Sequence, residues 1–155
     1  MPNESVSAPS EVTYSLVYRH SLDDKRRMPV PFRWRPKDPI DFTLVVWPKH
    51  AAGTCLRVFP PAPWVKFRAE IEAMPDIKQK PVLKRMIGSF STSIKLDSAG
   101  RLTIPEDMAQ EADISDQAVL VGMVDRFEIW SPQRYQEAKA QDVASWKQAL
   151  EAMGE

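Results

Sequence analysis

The chain has 155 residues, of which 43% are hydrophobic and 27% charged, and its formal net charge is zero. This length suits one domain with its own core, and no apolar run approaches the ~18 residues of a membrane span. The first ten residues contain one acidic and no basic residue, so we expect no secretory signal. Cys55 is the single cysteine, which excludes an intrachain disulfide and indicates a reducing, cytoplasmic location.

The charge is distributed unevenly between the two halves. Residues 1–88 hold 15 Lys and Arg against 9 Asp and Glu, whereas residues 89–155 hold 6 against 12. If nucleic acid is a partner, the first half is the surface that meets it. Attraction between opposite halves of neighbouring subunits explains the same pattern, and composition alone leaves both interpretations open.

In the first half, a polar lead-in precedes the predicted elements. Residues 1–11 have the Pro- and Ser-containing composition of a disordered segment. Pro36 and Pro39 exclude a stable helix before the second strand. The apolar stripe Trp64-Phe67-Ile71-Met74 indicates a helix that ends at Pro75. The predicted elements are strands over 12–18, 42–47 and 55–59, this helix, and a shorter helix over 81–87 that stops at Gly88.

The second half repeats this order of elements. Its last helix is capped by Ser131, has Pro132 at its first position, and carries the stripe Val143-Trp146-Leu150-Met153 on one side. The predicted elements are strands over 90–96, 119–123 and 127–130 and helices over 106–112 and from 132 onward.

A polar turn between two strands occurs in both halves. In the second half it spans 96–105, where Asp97 can accept hydrogen bonds from the backbone N–H groups just after it and Gly100 tolerates a positive φ. The first-half copy spans 22–31 and has Asp23 at the position that Asp97 holds in the second. Both aspartates are predicted to cap their turns.

A repeat that spans about half of the chain predicts two homologous halves of one domain. Arg27 and Arg101 match at the same offset as Asp23 and Asp97. We place the first repeat, with a helical linker, at 12–88 and the second, with a C-terminal helix, at 89–155. The predicted class is α+β, mainly β with peripheral helices.

The first turn carries three consecutive cations, Lys25, Arg26 and Arg27. An Arg side chain can fork onto guanine O6 and N7, and a Lys side chain can hold a phosphate, so this turn is a candidate DNA contact. The alternative is a solvated turn in which the cations pair with Asp23 and Asp24.

Arg101 and the segment Arg33-Trp34-Arg35 each admit two interpretations. Arg101 is a candidate DNA contact, but its pairing with Asp97 can serve only to fix the hairpin or to join subunits. Arg33 and Arg35 flank Trp34, whose ring can stack on a base or anchor the core.

The residues give no support to enzymatic chemistry. His20, His50 and Cys55 lack the spacing of zinc ligands and supply at most three, and we expect Cys55 to be packed within its strand. The chain has five glycines and no phosphate-binding Gly-rich loop. We therefore expect no catalytic site, metal, cofactor or small-molecule substrate.

The second half resembles the MraZ family of bacterial transcriptional regulators, which are encoded with cell-division and cell-wall genes. The matching segments are Leu96-Asp97-Ser98-Ala99-Gly100-Arg101-Leu102, Val119-Leu120-Val121-Gly122 and Phe127-Glu128-Ile129-Trp130. The order of elements matches over about residues 12–150. The family is similar to AbrB-type DNA binders, in which each half is a swapped hairpin and two halves interlock into a small β-barrel.

The resemblance implies a sequence-specific DNA-binding regulator that forms a ring-shaped homo-oligomer associated with the nucleoid. It implies repeated sites upstream of the protein's own gene cluster, which a ring would engage by effective concentration. One Asp-x-x-x-Arg loop per half would lie near the DNA or between units, so the predicted DNA contacts are Lys25, Arg26, Arg27 and Arg101. The alternative is an oligomeric protein-interaction scaffold that has kept the fold and lost DNA binding.

The first turn departs from the family pattern at one position. Arg26 stands where Gly precedes the motif arginine, as Gly100 does in the second turn. If the two turns share a shape, Arg26 must adopt a positive φ at a cost of ~1 kcal/mol or more.

Overall fold

The computed structural model describes residues 12–155, and the expected lead-in over 1–11 lies outside the described residues. The architecture is mixed α+β, with eight strands, four α-helices and a 3-10 turn at Phe32–Trp34 in the described range. Within 12–155, no helix combines the length and apolar character that crossing a membrane requires. The strands are β1 (Val17–Ser21), β2 (Arg27–Pro29), β3 (Phe42–Trp47), β4 (Cys55–Phe59), β5 (Ser91–Ile94), β6 (Arg101–Thr103), β7 (Gln117–Gly122) and β8 (Phe127–Trp130). The helices are α1 (Pro61–Glu72), α2 (Gln79–Ser89), α3 (Glu106–Glu111) and α4 (Pro132–Ala152).

Two predicted boundaries were wrong for local reasons. The first strand begins at Val17 rather than at residue 12, because Leu16 has a φ of 76° that interrupts the extended chain. Helix α2 continues past Gly88 to Ser89, and the N–H of Phe90 still donates to Met86 O at 3.0 Å. Gly88 is therefore an interior helix residue and not the predicted stop.

The strands form one six-stranded sheet in the order β1-β7-β8-β4-β3-β5 and a separate ribbon of β2 and β6. All of these pairings are antiparallel. The outer strands are exchanged between the halves, since β1 pairs with β7 and β5 pairs with β3. If β1 is exchanged with β5, β3 with β7 and β4 with β8, the same strand order is obtained, read from the opposite edge of the sheet. Within 12–155 the sheet ends at β1 and β5, so the predicted closed barrel is not confirmed.

Two pairings place counterpart residues directly opposite each other. In the ribbon, Met28 faces Leu102, its counterpart at the offset that relates the two turns. In the sheet, Arg57 faces Glu128, its counterpart in the second repeat. A residue that meets its own counterpart marks the position of a two-fold relationship, so the ribbon and the β4–β8 pair lie where the two halves meet.

The core lies between the ribbon and the sheet. Met28 and Leu102 are fully buried beneath the ribbon, and the Trp34 side chain is fully buried beside them. The Trp34 ring centroid is 5.0 Å from that of Phe127, and its Nε1 donates to Ser15 O at 3.0 Å. Trp34 is therefore a core anchor, and its ring is not available to stack on a base.

A buried ion pair joins the two central strands. Arg57 Nη2 lies 2.7 Å from Glu128 Oε2, and the guanidinium carbon sits 4.1 Å above the centre of the Trp47 ring. Trp130 Nε1 donates to the other carboxylate oxygen, Oε1, at 2.9 Å. Glu128 is thus buried with both oxygens satisfied, which is the condition for a buried charge to be tolerated.

We expect Arg57→Leu to destabilise the fold by about 3–5 kcal/mol, because it leaves the Glu128 carboxylate buried without its cation. Adding Glu128→Gln removes that charge while keeping an acceptor for Trp130, so the double variant should recover about 1–3 kcal/mol of the loss. Urea unfolding followed by circular dichroism measures both. Strictly additive losses would show that the two side chains are not coupled.

Candidate nucleic-acid interface

The outward face of the ribbon brings arginines from both halves together. Because side chains alternate along a strand, burial of Met28 and Leu102 turns their neighbours toward solvent. Arg27 lies on β2 and Arg101 on β6, on this outer face. Because both strands are only three residues long, the turn that precedes β2 lies close to the turn that precedes β6. Arg101 Nη1 is 3.9 Å from Asp23 Oδ2.

Each turn is held by its aspartate. Asp23 Oδ1 accepts from the backbone N–H groups of Lys25 and Arg27, both at 2.9 Å, and Oδ2 accepts from Arg27 Nε at 2.7 Å. In the second turn, Asp97 accepts the N–H and Nε of Arg101, both at 2.8 Å. The same contacts therefore hold both arginines through their Nε atoms. The terminal guanidinium nitrogens take no part in these hydrogen bonds.

The hydrogen bonds also fix the charge of both aspartates. The backbone N–H of Arg27, assisted by its guanidinium and by the N–H of Lys25, lowers the pKa of Asp23 to about 2. The N–H of Arg101 lowers the pKa of Asp97 in the same way. Both carboxylates therefore stay ionised, and remain acceptors for the arginines, at a lower pH than an ordinary aspartate does.

Arg26 adopts the strained conformation that the shared turn shape demands. Its φ is 59°, and the φ of Gly100 at the matching position is 77°. The Arg26 side chain donates from Nε to Ile104 O at 2.9 Å, a contact that offsets the strain. Arg26 is half-buried and bound to the ribbon backbone, whereas Lys25 is exposed.

The role of Arg35 is seen only in the structure. The first-half carbonyl that matches Ile104 O is Val30 O, and it accepts from Arg35 Nε at 2.8 Å. The Arg35 side chain crosses Gly100 so closely that a Cβ there would lie 2.3 Å from its Cζ. Each of the two equivalent carbonyls thus accepts from one guanidinium of the first half: Ile104 O from Arg26 in the turn, and Val30 O from Arg35 just after the 3-10 turn. The sequence did hold one signal for this role of Arg35. The position of Arg26 in the first half is occupied by Gly100 in the second, and the position of Arg35 is occupied by Ala109.

The four predicted DNA contacts, Lys25, Arg26, Arg27 and Arg101, all lie on or beside the ribbon. Of the residues considered for metal or thiol chemistry, His50 and Cys55 lie elsewhere, whereas His20 lines an open cleft next to Pro29 and Phe32. Within 12–155 no three His, Cys, Asp or Glu side chains are grouped so as to hold a metal ion. His50 pairs with Asp142 at 3.0 Å, and burial raises the pKa of the Cys55 thiol, which makes that thiol a poor nucleophile.

Comparison with known proteins places the chain among transcriptional regulators. The family described as "MraZ protein, putative antitoxin-like" matches residues 89–154. The protein named Transcriptional regulator MraZ of Roseiflexus castenholzii is 34% identical over 77% of this chain and 81% of its own length. Its namesake in Shewanella loihica is 31% identical over 84% and 80%, and that of Treponema denticola 28% over 89% and 95%. On this similarity over most of its length, the chain belongs to the MraZ family.

Proposed function

We propose that this transcriptional regulator binds DNA sequence-specifically through the outer face of the β2–β6 ribbon. The observation that carries the proposal is the pair of aspartate-held arginines, Arg27 and Arg101, on one exposed two-stranded ribbon. A ribbon of this kind fits the major groove of B-DNA, which is ~12 Å wide. Its arginines are pre-oriented, so little side-chain entropy is lost on binding.

The four cations would have different roles. Arg27 would fork onto a guanine, and the exposed Lys25 would hold a phosphate. Arg26 would fix the turn through Ile104 O. Arg101 lies near two carboxylates, those of Asp97 and Asp23, so its charge is more fully used within the protein. We therefore assign Arg101 mainly to holding the two turns together.

We also propose that residues 12–88 and 89–155 are the two repeats and that the sheet with the ribbon packed on it is the counterpart of the family's small barrel. The protein would act in the cytoplasm on the nucleoid, at repeated sites upstream of its own gene cluster.

Helix α4 supports a further proposal, that the protein is a homo-oligomer. Every residue from Lys139 to Glu155 is exposed, including the stripe Val143-Trp146-Leu150-Met153, in which Trp146 is 64% and Met153 76% accessible. A helix segment of this length is marginal in water without a partner. The corresponding stripe on α1 is used internally, since Ile71 is buried and the Phe67 ring stacks 5.3 Å from Phe59.

The receiving surface would be an apolar groove between α1, α2 and β3 of a second copy. It has a volume of about 650 Å³ and includes Trp47, Phe67, Ile71, Met74, Leu83 and Met86 in its lining. A contact between two different surfaces is head-to-tail and can close into a ring.

For DNA binding, we expect Arg27→Ala to cost ~1–3 kcal/mol per engaged subunit, because a base contact is lost. Lys25→Ala should weaken binding to all sequences alike and reduce the salt slope by about one, as the loss of a phosphate contact does. Fluorescence anisotropy with a duplex from directly upstream of the protein's own gene, at several salt concentrations, measures both effects.

Arg101→Ala is the matched variant on the other strand. We expect it to lower thermal stability or to change the oligomer, with DNA affinity following only indirectly. Loss of DNA binding in Arg101→Ala with an intact oligomer, together with normal binding by Arg27→Ala, would reverse the assignment. A wild-type protein that shifts no duplex would favour the scaffold function instead.

For assembly, we expect Trp146→Glu and Leu150→Glu to lower the mass measured by analytical ultracentrifugation at micromolar concentration. Each places a charge in the apolar stripe. Gln148→Glu, on the opposite face of α4, is the control and should keep the wild-type mass. A monomeric wild-type chain, or an unchanged mass for Trp146→Glu, would contradict the interface.

A further inference from the structure

We propose that DNA makes a second contact beside the ribbon, in the cleft formed by Phe32, Arg33 and Arg35. In this contact the Phe32 ring packs on the deoxyribose and base edges that flank the ribbon's site, and Arg33 holds a phosphate. The inference rests on the proposed DNA-binding function and adds a surface that the paired turns do not include.

The cleft has the composition of a nucleic-acid contact. It is open, has a volume of about 570 Å³, and is lined by Tyr18, His20, Phe32, Arg33 and Arg35 together with residues 29–31. In the described part of the chain, its lining includes no carboxylate. In nucleic-acid-binding proteins, aromatic rings pack on the bases and neighbouring cations bind the phosphate backbone.

Phe32 is displayed on a rigid support. Its side chain is 83% exposed, although Phe32 is the first residue of the 3-10 turn whose last residue, Trp34, is fully buried in the core. The neighbouring Pro31 is also buried. The exposure therefore belongs to a fixed part of the fold, and the ring is available to pack against a bound partner.

The repeat supplies a second, independent observation. At the matching positions of the second repeat, Glu106 and Asp107 replace Phe32 and Arg33. The two flanks of the ribbon are therefore opposite in character, one cationic and aromatic and the other acidic. A polyanionic duplex is attracted to the first flank and repelled by the second.

Arg35 joins the cleft to the ribbon. Its Nε is bound to Val30 O on the ribbon side, and its guanidinium carbon lies 5.8 Å from the centre of the Phe32 ring. One side chain thus borders both the Gly100 turn and the aromatic contact. A duplex seated on the ribbon would pass directly onto the cleft.

The test uses the full chain and the same upstream duplex at several salt concentrations. Phe32→Ala should reduce affinity about tenfold per engaged subunit with an unchanged salt slope, because an uncharged contact is lost. Arg33→Ala should reduce affinity and lower the salt slope by about one. Glu106→Ala, the matched position on the acidic flank, should bind at least as well as wild type. Ile77→Ala, a remote apolar side chain that is 85% exposed, should bind normally.

If wild type binds while Phe32→Ala and Arg33→Ala bind equally well, the cleft is not a DNA contact and only this inference fails. A lower oligomer mass for Phe32→Ala by ultracentrifugation would make the cleft a subunit contact and would also overturn it. A wild-type chain that binds no duplex would instead overturn the proposed function on which the inference rests.

Discussion

Pairing between β2 and β6 is the constraint on which the rest of the structure depends. Each strand is three residues long and comes from a different half, so neither half can satisfy the backbone groups of its own strand. Beyond the paired residues, Val30 N donates to Gly100 O and Ile104 N to Arg26 O, both at 3.0 Å, which extends the ribbon by one bond at each end. The halves must therefore fold together. The exchange of β1 and β5 between the halves enforces the same condition in the sheet, and it fixes the two turns relative to each other.

The two turns show how one backbone shape can be built from different residues. In each half a ribbon carbonyl takes a hydrogen bond from an arginine side chain. Val30 O in the first half accepts from Arg35, whose side chain can reach it because Gly100 presents no side chain in its path. Ile104 O in the second half accepts from Arg26, which takes a φ of 59° in the first turn. A hydrogen bond from a charged donor contributes ~1.5–3 kcal/mol, which is enough to offset the ~1–2 kcal/mol that a left-handed residue costs. The missing glycine is thus compatible with an intact turn.

Local patterns in the sequence were sufficient for the elements and insufficient for their partners. The bounds of β3, β4 and β8 matched the prediction, because each is a short, mostly apolar run with β-branched and aromatic residues between turn residues. The paired turns were visible because Asp23 and Asp97 recur at a fixed offset. The contact of Arg35 with Gly100 and the pair of Arg57 with Glu128 each join one half of the chain to the other, so no local pattern could reveal either one. The interruption at Leu16 was missed because a leucine gives no signal for a positive φ.

The same two-fold relationship makes differences between the halves easy to interpret. Where matching residues of the two halves make the same contacts, as Asp23 and Asp97 do, the requirements of the fold explain why both residues are present. Where they differ in charge, folding does not account for the choice, because solvent would accept either residue at exposed positions such as 32 and 106. A neutral chain gains little non-specific affinity for DNA, and an acidic flank lowers that affinity further on one side. If the ribbon binds DNA as proposed, Arg33 beside one end would attract the phosphates and Glu106 beside the other would repel them, which would concentrate the backbone contacts on the Arg33 flank.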